Sequence, residues 1–455
     1  MRLTLAVLAT LFVIAAPAHA AGPQLGIADD RILLGGGEVA DEAVAEWADM
    51  GVEVVRIYAL WNRIGPSYPD GDYDWTALDH AVDRVVAAGM EPMLNITGPG
   101  PLWVSRRSER GEPRYDPDPK LYAEFARAVA ERYGDRVSRY ILWNEPNLGG
   151  WLKPQRSCNR RQRCSPVSPH LYRTLVRRAY PEVHAADPGA QVLIGALGPR
   201  GSARRSENAN LRPLEFLRAF GCVDKKFKRL RTGRCRNFKP AMGDGFAYHP
   251  HNVLGAPERP FRHRDDIALA SLSRLTATLD RLQRMRRITA SGRRFDLYLD
   301  EFGYQTNPPD KLAGISLRQQ DQWLQRAAYL AWRNKRVKLF SQYLWRDEPR
   351  SLNNTFGGWQ SGLRFIDGRP KPALKHFTTP FVLDARRSRL WGHVRRRDAG
   401  EVTIERRLAG SSRWRTVSTR TTDAQGYWSW QTRLTKGASY RYRAAEVTSA
   451  TLKRR

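Results

Sequence analysis

The amino-acid sequence predicts an α/β protein: a (β/α)8 TIM barrel followed by a small C-terminal all-β sandwich domain. From about residue 30 to 345, amphipathic helical segments that end at glycine are followed at once by apolar, β-branched segments. Alternating helices and strands build a parallel sheet, and strands that are buried on both faces are apolar throughout. After residue 380 this pattern stops and short strand-like segments replace it, which predicts the second domain.

The helix–strand units give the strand count. Glycine follows each of the clearest helices at the position where a left-handed residue often ends a helix: Gly51 after 41–50, Gly89 after 76–88 and Gly134 after 120–133. We place the eight strands near residues 32, 52, 91, 139, 191, 245, 296 and 339, the first of them over residues 32–35. Eight units in roughly 350 residues fit a barrel with inserted loops better than an open, doubly wound sheet.

The C-terminal segment predicts a basic β-sandwich over residues 384–455. Its strand-like runs are 403–407, 414–417, 427–430 and 440–443, with glycine and aspartate between them. From residue 385 to 455 there are 18 Lys and Arg against 5 Asp and Glu. Such a module could dock on an anionic wall polymer, or it could serve as a spacer or pack against the barrel.

The N-terminus predicts export. Arg2 precedes an apolar run over residues 3–16, and Ala18-His19-Ala20 is a small-x-small cleavage site. These features predict a signal peptide over residues 1–20, a catalytic barrel over 21–380 and a secreted or cell-wall-associated protein. The alternative is an uncleaved anchor, but the run is shorter than the ~20 residues of a membrane span.

Four cysteines are consistent with an exported protein. We favour the local disulfides Cys158–Cys164 and Cys222–Cys235, because each would close a short polar loop. A zinc site is the alternative, although the spacing contains no Cys-x-x-Cys pair.

The net charge is strongly positive. The formal value is +30, with 63 Arg and 13 Lys. This excess indicates an anionic partner or a compositional preference for arginine. The charge is spread along the chain without a nucleic-acid-binding motif, so we predict no nucleic-acid partner. We also predict no membrane span, because no later stretch is apolar enough, and we expect a monomer.

Two carboxylates mark the candidate catalytic site. In a parallel barrel the active site lies at the carboxyl ends of the strands. Strand four ends in Trp-Asn-Glu-Pro-Asn at residues 143–147, and strand seven ends in Leu-Asp-Glu-Phe-Gly at 299–303. Glycosidic cleavage uses two facing carboxyls, ~5–5.5 Å apart in retaining enzymes and ~6.5–9.5 Å apart in inverting ones. We therefore predict Glu145 and Glu301 as the catalytic pair, with Arg56 at the end of strand two as a cationic neighbour.

These motifs resemble those of clan A glycoside hydrolases, most closely families 39 and 5, over roughly residues 25–380. The resemblance implies retention by double displacement without a cofactor, with Glu145 as acid/base and Glu301 as nucleophile.

The same resemblance implies roles for three neighbours. Asn144 would hydrogen-bond the 2-hydroxyl of the sugar beside the scissile bond, and Arg56 would contact the nucleophile. Trp345, at the end of strand eight, would form the stacking floor of that subsite.

The sequence departs from family 5 at two strand ends. Residues 95–98 lack the His that usually ends strand three. The strand-six motif, commonly His-x-Tyr, is His249-Pro250-His251 here. We predict that His249 and His251 line the substrate cleft, while a structural pair and a metal site are alternatives.

Aromatic residues follow several predicted strands, where sugar rings stack in glycosidase clefts. Trp61, Trp103 and Tyr304 are predicted to bind substrate; Trp151 and Trp359 lie in similar loops, and packing is the alternative for each. A long basic segment, 199–240, is predicted to overlie the cleft and suggests an anionic or heavily hydroxylated polymer.

The predicted function is a secreted, retaining O-glycosyl hydrolase of a polysaccharide or oligosaccharide, with a carbohydrate substrate that could be an anionic cell-wall polysaccharide. The alternatives are a transglycosidase acting on wall polymer, a non-catalytic wall protein that binds carbohydrate, and a metal-dependent hydrolase.

Overall fold

A computed structural model describes residues 22–161, 163–203, 205–349, 358–395 and 400–455. The predicted signal peptide lies outside these ranges. Eight parallel strands form a closed barrel in which each strand pairs with its sequence neighbour and the first pairs with the last. They are β1 (Gln24–Ala28), β2 (Val54–Leu60), β3 (Glu91–Thr97), β4 (Arg139–Leu142), β5 (Gln191–Leu197), β6 (Gly245–Tyr248), β7 (Leu297–Phe302) and β8 (Val337–Tyr343). The predicted barrel is confirmed.

Helices lie between the strands and cover the outside of the barrel. They are α1 (Asp30–Gly35), α2 (Gly37–Asp49), α3 (Trp61–Ile64), α4 (Thr76–Ala87), α5 (Pro119–Tyr133), α6 (Ser168–Ala186), α7 (Pro213–Phe220), α8 (Leu272–Arg284), α9 (Leu317–Arg333) and α10 (Pro372–Phe377). Their apolar faces and the strands form one large hydrophobic core.

The predicted first strand is wrong. Residues 32–35 belong to helix α1, and the strand lies earlier, at Gln24–Ala28. The side chain of Asp29 accepts a hydrogen bond from the backbone N–H of Ile32 and so caps the helix. The apolar residues after Asp29 are therefore buried on one side of a helix.

Two of the three helix-ending glycines have the predicted left-handed backbone, with φ of 75° at Gly51 and 71° at Gly89. Gly134 does not: its φ is −62°, and its N–H donates to the carbonyl of Ala130 at 2.9 Å, which continues the helix. A Cβ at Gly134 would lie 2.9 Å from that carbonyl oxygen, so close approach explains the glycine there.

The C-terminal domain consists of two antiparallel sheets around a separate apolar core, as predicted. One sheet joins β9 (Phe381–Asp384), β10 (Arg389–His393) and β13 (Tyr427–Gln431). The other joins β11 (Glu401–Arg407), β12 (Arg415–Thr421), β14 (Ser439–Ala444), β15 (Val447–Thr448) and β16 (Leu452–Lys453).

The three-stranded sheet packs the domain onto the barrel. The hydroxyl of Tyr427 donates to the carbonyl of Pro23 at 2.7 Å, directly before β1 begins. The Trp391 ring lies 5.4 Å from the ring of Tyr329 and 5.9 Å from that of Trp332 on α9. The contact with Pro23 places the domain near the amino-terminal end of β1, away from the carboxyl ends of the barrel strands.

Both predicted disulfides are present, Cys158–Cys164 and Cys222–Cys235. None of the described helices is both long and apolar enough for a membrane crossing.

Candidate active site

The two predicted glutamates lie at the carboxyl ends of β4 and β7. After β4 the backbone turns through left-handed conformations at Trp143 (φ 66°) and Glu145 (φ 37°), which residues other than glycine rarely adopt. The N–H of Glu145 donates to the carbonyl of Ala196 at 2.9 Å and fixes this turn to the end of β5. Backbone strain of this kind is concentrated at functional sites.

His249, at the end of β6, joins the two carboxylates. Its Nδ1 lies 3.1 Å from Oε1 of Glu145 and 3.6 Å from Oε2 of Glu301. These two oxygens therefore cannot be farther apart than the sum of those distances. That limit lies at the short end of the range for inverting enzymes, and it admits the shorter separation of retaining enzymes.

Glu301 is surrounded by donors. Arg56 donates to its Oε1 at 2.6 Å, and the hydroxyl of Tyr58 donates to the same oxygen at 2.8 Å. His251 approaches from the other side, with Nε2 3.6 Å from Oε2. Asp30 in turn accepts a 2.6 Å hydrogen bond from Arg56 and holds the guanidinium in place.

This environment sets the protonation of the site. Burial alone would raise the pKa of Glu301, but the positive charges of His249 and Arg56 outweigh it and hold the pKa well below its usual range. Burial would lower the pKa of His249, yet Glu301 and Asp300 raise it well above the usual value. Asp300 lies 3.1 Å from Nε2 of His249. The site thus stabilises an ionised Glu301 and a protonated His249.

Asn144 is positioned by β3. Its side-chain oxygen accepts a hydrogen bond from Nδ2 of Asn95 at 3.1 Å, and its N–H donates to Oγ1 of Thr97 at 3.0 Å. These residues occupy the strand end at which the sequence lacks the His of family 5.

An open cleft of about 530 Å³ begins beside Tyr58. Tyr343 and Trp151 line it together with Glu348. Three basic side chains also line it: Arg31 of α1, Arg63 of α3 and Arg114. A cleft with aromatic rings and convergent polar groups can hold a saccharide.

Comparison with known proteins agrees with this geometry. Residues 31–213 match the family model for cellulase (glycosyl hydrolase family 5). Over these residues the barrel is thus similar to clan A glycoside hydrolases. The chain is also 26% identical over 148 residues to beta-glucosidase 34 of Oryza sativa subsp. japonica, which covers 29% of this chain and 26% of that protein. The chain thus spans only about a quarter of the length of this curated relative.

Solved structures share the fold of this barrel. A family 39 glycoside hydrolase from Bacteroides cellulosilyticus WH2 superposes with a TM-score of 0.55 at 14% identity, over 94% of this chain and 82% of the other. A GH5_18 protein from Streptomyces cattleya, solved in complex with Manb1-4GlcNAc, has a TM-score of 0.51 at 17% identity, over 77% and 78% of the two chains.

Sequence reasoning missed four polar residues of the site. Tyr58 lies two positions after Arg56, and this spacing places both side chains on one face of a strand, so the residue could have been found. Asp300 is part of the strand-seven motif, and Asn95 lies in the strand-three segment. Asp30 could not be found, because the first strand was placed after it.

Two predicted substrate-binding aromatics lie in the core instead. The ring of Trp61 stacks on Phe125 with centroids 5.5 Å apart, and only 2% of the residue is exposed. Tyr304 is fully buried, and its hydroxyl donates to the carbonyl of Gly255 at 3.0 Å. Both predictions are wrong because these rings pack against helices, Trp61 against Phe125 of α5 and Tyr304 against Trp323 of α9.

Trp345 is also displaced from the cleft. Leu344 adopts a left-handed φ of 69°, and Trp345 is buried, with the guanidinium of Arg364 5.1 Å from its ring centre. In its place Trp359 lies beside the site: its ring centre is 5.8 Å from that of His251 and 6.0 Å from that of Tyr343. The stacking floor implied for Trp345 is therefore not formed by that residue.

Trp103 is half-buried against the large core, and its indole N–H donates to the carbonyl of Pro66 at 2.9 Å. It does not line the described cleft.

The predicted basic cover over the cleft is also corrected. Residues 213–220 form α7, and the segment that follows packs along the side of the barrel. Arg173 on α6 donates to the carbonyl of Phe220 at 2.8 Å, and Arg287 lies 3.3 Å above the ring of Phe238. The described cleft is lined by no residue of this segment, and its basic side chains are those of Arg31, Arg63 and Arg114.

Proposed function

We propose that the chain is a retaining O-glycosyl hydrolase that cleaves a polysaccharide or oligosaccharide, with Glu145 as acid/base and Glu301 as nucleophile. The observation that carries this proposal is that both carboxylates lie within 3.6 Å of the same nitrogen of His249. Two carboxyls this close can act on one glycosidic carbon and its leaving oxygen.

The surroundings of the two glutamates support different roles. Glu301 accepts hydrogen bonds from Arg56 and Tyr58, so it is ionised and directed, as a nucleophile must be. Glu145 has no arginine contact among the described residues and is more exposed, with 16% of its side chain accessible against 7% for Glu301. It can therefore reach both a leaving group and water.

The reaction then follows in two steps. Glu145 protonates the leaving oxygen while Glu301 attacks the anomeric carbon, which breaks the glycosidic bond and forms a glycosyl ester on Glu301. Glu145, now ionised, takes a proton from water as that water attacks the same carbon and releases Glu301. Two inversions leave the configuration unchanged.

We further propose that the substrate is an extracytoplasmic glycan. The predicted signal peptide supports export, and the open cleft supports binding of several sugar units. A structural neighbour solved with a disaccharide is consistent with a cleft of this kind.

Chemical rescue tests the assignment. Glu301→Gly should abolish hydrolysis of aryl glycosides while the protein stays folded, and azide should restore turnover to give a glycosyl azide of inverted configuration. Glu145→Ala should still cleave substrates with good leaving groups, and azide should give a product of retained configuration.

Glu258→Gln is the matched control, because this glutamate is exposed, pairs with Arg326 and does not line the described cleft. It should keep full activity. Full activity of Glu301→Gly, or an azide product of retained configuration from it, would contradict the proposal.

A further inference from the structure

The outer face of the five-stranded C-terminal sheet carries aligned basic residues. Val402 and Ile404 of β11 point into the domain core, so Thr403 and Glu405 point outward. The antiparallel register pairs Thr403 with Arg443 and Glu405 with Arg441 of β14. Side chains paired across neighbouring strands share a face, so both arginines lie on the outside.

Further basic residues extend the same face. Arg407 pairs with Ser439, and on the other side of β14 Ser439 pairs with Lys453. We call this surface the basic face and define it by Arg407, Arg441, Arg443 and Lys453. Arg443 and Lys453 are exposed.

An aromatic ring lies within the basic face. Trp414, just before β12, is half-buried, with the guanidinium of Arg441 4.2 Å and that of Arg407 4.9 Å from its ring. Glu405, on the same face, forms a 2.6 Å ion pair with Arg441. The ring is held in place by cation–π contacts, and the cationic groups surround it.

The basic face points away from the barrel. The barrel contacts of Tyr427 and Trp391 come from β13 and β10, which belong to the other sheet. The domain core lies between the two sheets. The basic face is therefore the layer farthest from the barrel.

Composition favours an anionic partner here. Residues 400–455 contain 12 Lys and Arg against 4 Asp and Glu. A fixed aromatic ring suits the C–H face of a sugar, and arginines suit carboxylates through paired hydrogen bonds. Single-stranded nucleic acids are usually held by several successive aromatic platforms, whereas this face presents one ring.

We propose that the basic face binds a polyuronate, a polysaccharide with a carboxylate on each sugar. A sugar ring would stack on Trp414, and neighbouring carboxylates would pair with Arg443 and Lys453. This binding does not depend on the hydrolysis proposed above, because the face and the catalytic glutamates lie in separate domains.

Binding of the full chain to polygalacturonate, dextran and single-stranded DNA tests the proposal. Affinity electrophoresis should show retardation by polygalacturonate and none by neutral dextran. Trp414→Ala and the double variant Arg443→Glu, Lys453→Glu should each weaken polygalacturonate binding by about tenfold or more. Cleavage of a small soluble aryl glycoside should stay unchanged in all of them.

The charge control is Arg369→Glu, because Arg369 is exposed and pairs with Asp367 in the barrel domain. It should reduce binding far less than the charge reversals on the basic face. An equal loss in the control, unchanged binding in both basic-face variants, or tighter binding of DNA than of polygalacturonate would overturn the proposal. Circular dichroism identifies a variant that fails to fold, in which case the other basic-face variant decides.

Discussion

The hydroxyl of Tyr58 donates a 2.8 Å hydrogen bond to Oε1 of Glu301. The same oxygen accepts from Arg56, whose guanidinium lies 3.8 Å above the Tyr58 ring. Strand β2 thus presents two donors, stacked on each other, to one carboxylate oxygen. The strand-six motif of family 5 commonly ends in a tyrosine, and this chain has His251 at that position. Tyr58 supplies a phenolic donor to Glu301 from a different strand.

We expect Tyr58→Phe to lower kcat/KM by about 10- to 100-fold without unfolding the protein. The variant loses one hydrogen bond to a charged group, a contribution of about 1.5–3 kcal/mol. Steady-state kinetics on an aryl glycoside measures the loss. Tyr304→Phe is the control, since that hydroxyl donates to the carbonyl of Gly255 and not to Glu301. Equal effects of the two variants would argue against a role for Tyr58.

The charge of His249 should set the acidic limb of the pH profile. Glu301 attacks only when ionised, and its lowered pKa extends activity to acidic pH. His249→Gln removes a positive charge, so the pKa of Glu301 should rise. The acidic limb of kcat/KM should then move toward neutral pH by about 1 to 3 pH units.

The control for this measurement is His376→Gln, because His376 pairs with Asp321 at 3.0 Å away from the site. Its profile should match that of the wild type. An unmoved acidic limb in His249→Gln would show that His249 does not set the ionisation of Glu301.

Substitution of Trp345 should lower stability, whereas substitution of Trp359 should weaken substrate binding. Trp345→Ala removes a buried ring and should lower the free energy of unfolding by about 3–5 kcal/mol. Trp359→Ala should leave stability nearly unchanged and raise KM up to about tenfold, because this half-buried ring borders the site beside His251. Urea unfolding and steady-state kinetics on both variants check the two effects, and a reversed pattern would restore Trp345 as the stacking floor.

Glu348 should make stability depend on pH. Burial raises its pKa to about 7, although the N–H of Trp359 hydrogen-bonds to it and lowers the pKa in part. The pKa of Glu348 is higher in the folded protein than in the unfolded chain, so protonation of Glu348 favours folding. This contribution to stability is fully present below the unfolded pKa of about 4.3. It is lost as pH rises to about 7.

Glu348→Gln keeps an acceptor for Trp359 without a charge, so its unfolding free energy should decline less between pH 4.5 and 7.5, by at most about 3 kcal/mol. Urea unfolding at the two pH values measures the difference. The exposed Glu258→Gln should show the wild-type decline. The same decline in Glu348→Gln would mean that Glu348 is not the group responsible.

The sequence predicted the fold where helix and strand patterns were regular, and it failed at the first strand. Residues 32–35 are apolar and short, so periodicity alone could not separate a strand from a helix. The deciding contact is the cap from Asp29 to the N–H of Ile32, which belongs to the three-dimensional arrangement.

The site was predictable where the strand end itself fixes the position, as for Glu145, Glu301 and Arg56. It was not predictable where a turn decides the direction of the next side chain. The left-handed backbone at Leu344 directs the buried Trp345 side chain away from the cleft, and nothing in the neighbouring sequence requires that conformation. Tyr58 reaches Glu301 only because the barrel closes, and Asp30 contacts Arg56 only because the preceding strand lies beside β2.

The contact between Tyr427 and Pro23 joins positions 404 residues apart. Strand β1 itself pairs with β8, so β1 and the residue before it both have partners from the far end of the chain. Contacts of such large sequence separation form slowly, since the intervening chain must first be ordered. We therefore expect the strand that is synthesised first to be among the last fixed in place during folding, after β8 and the C-terminal domain have formed.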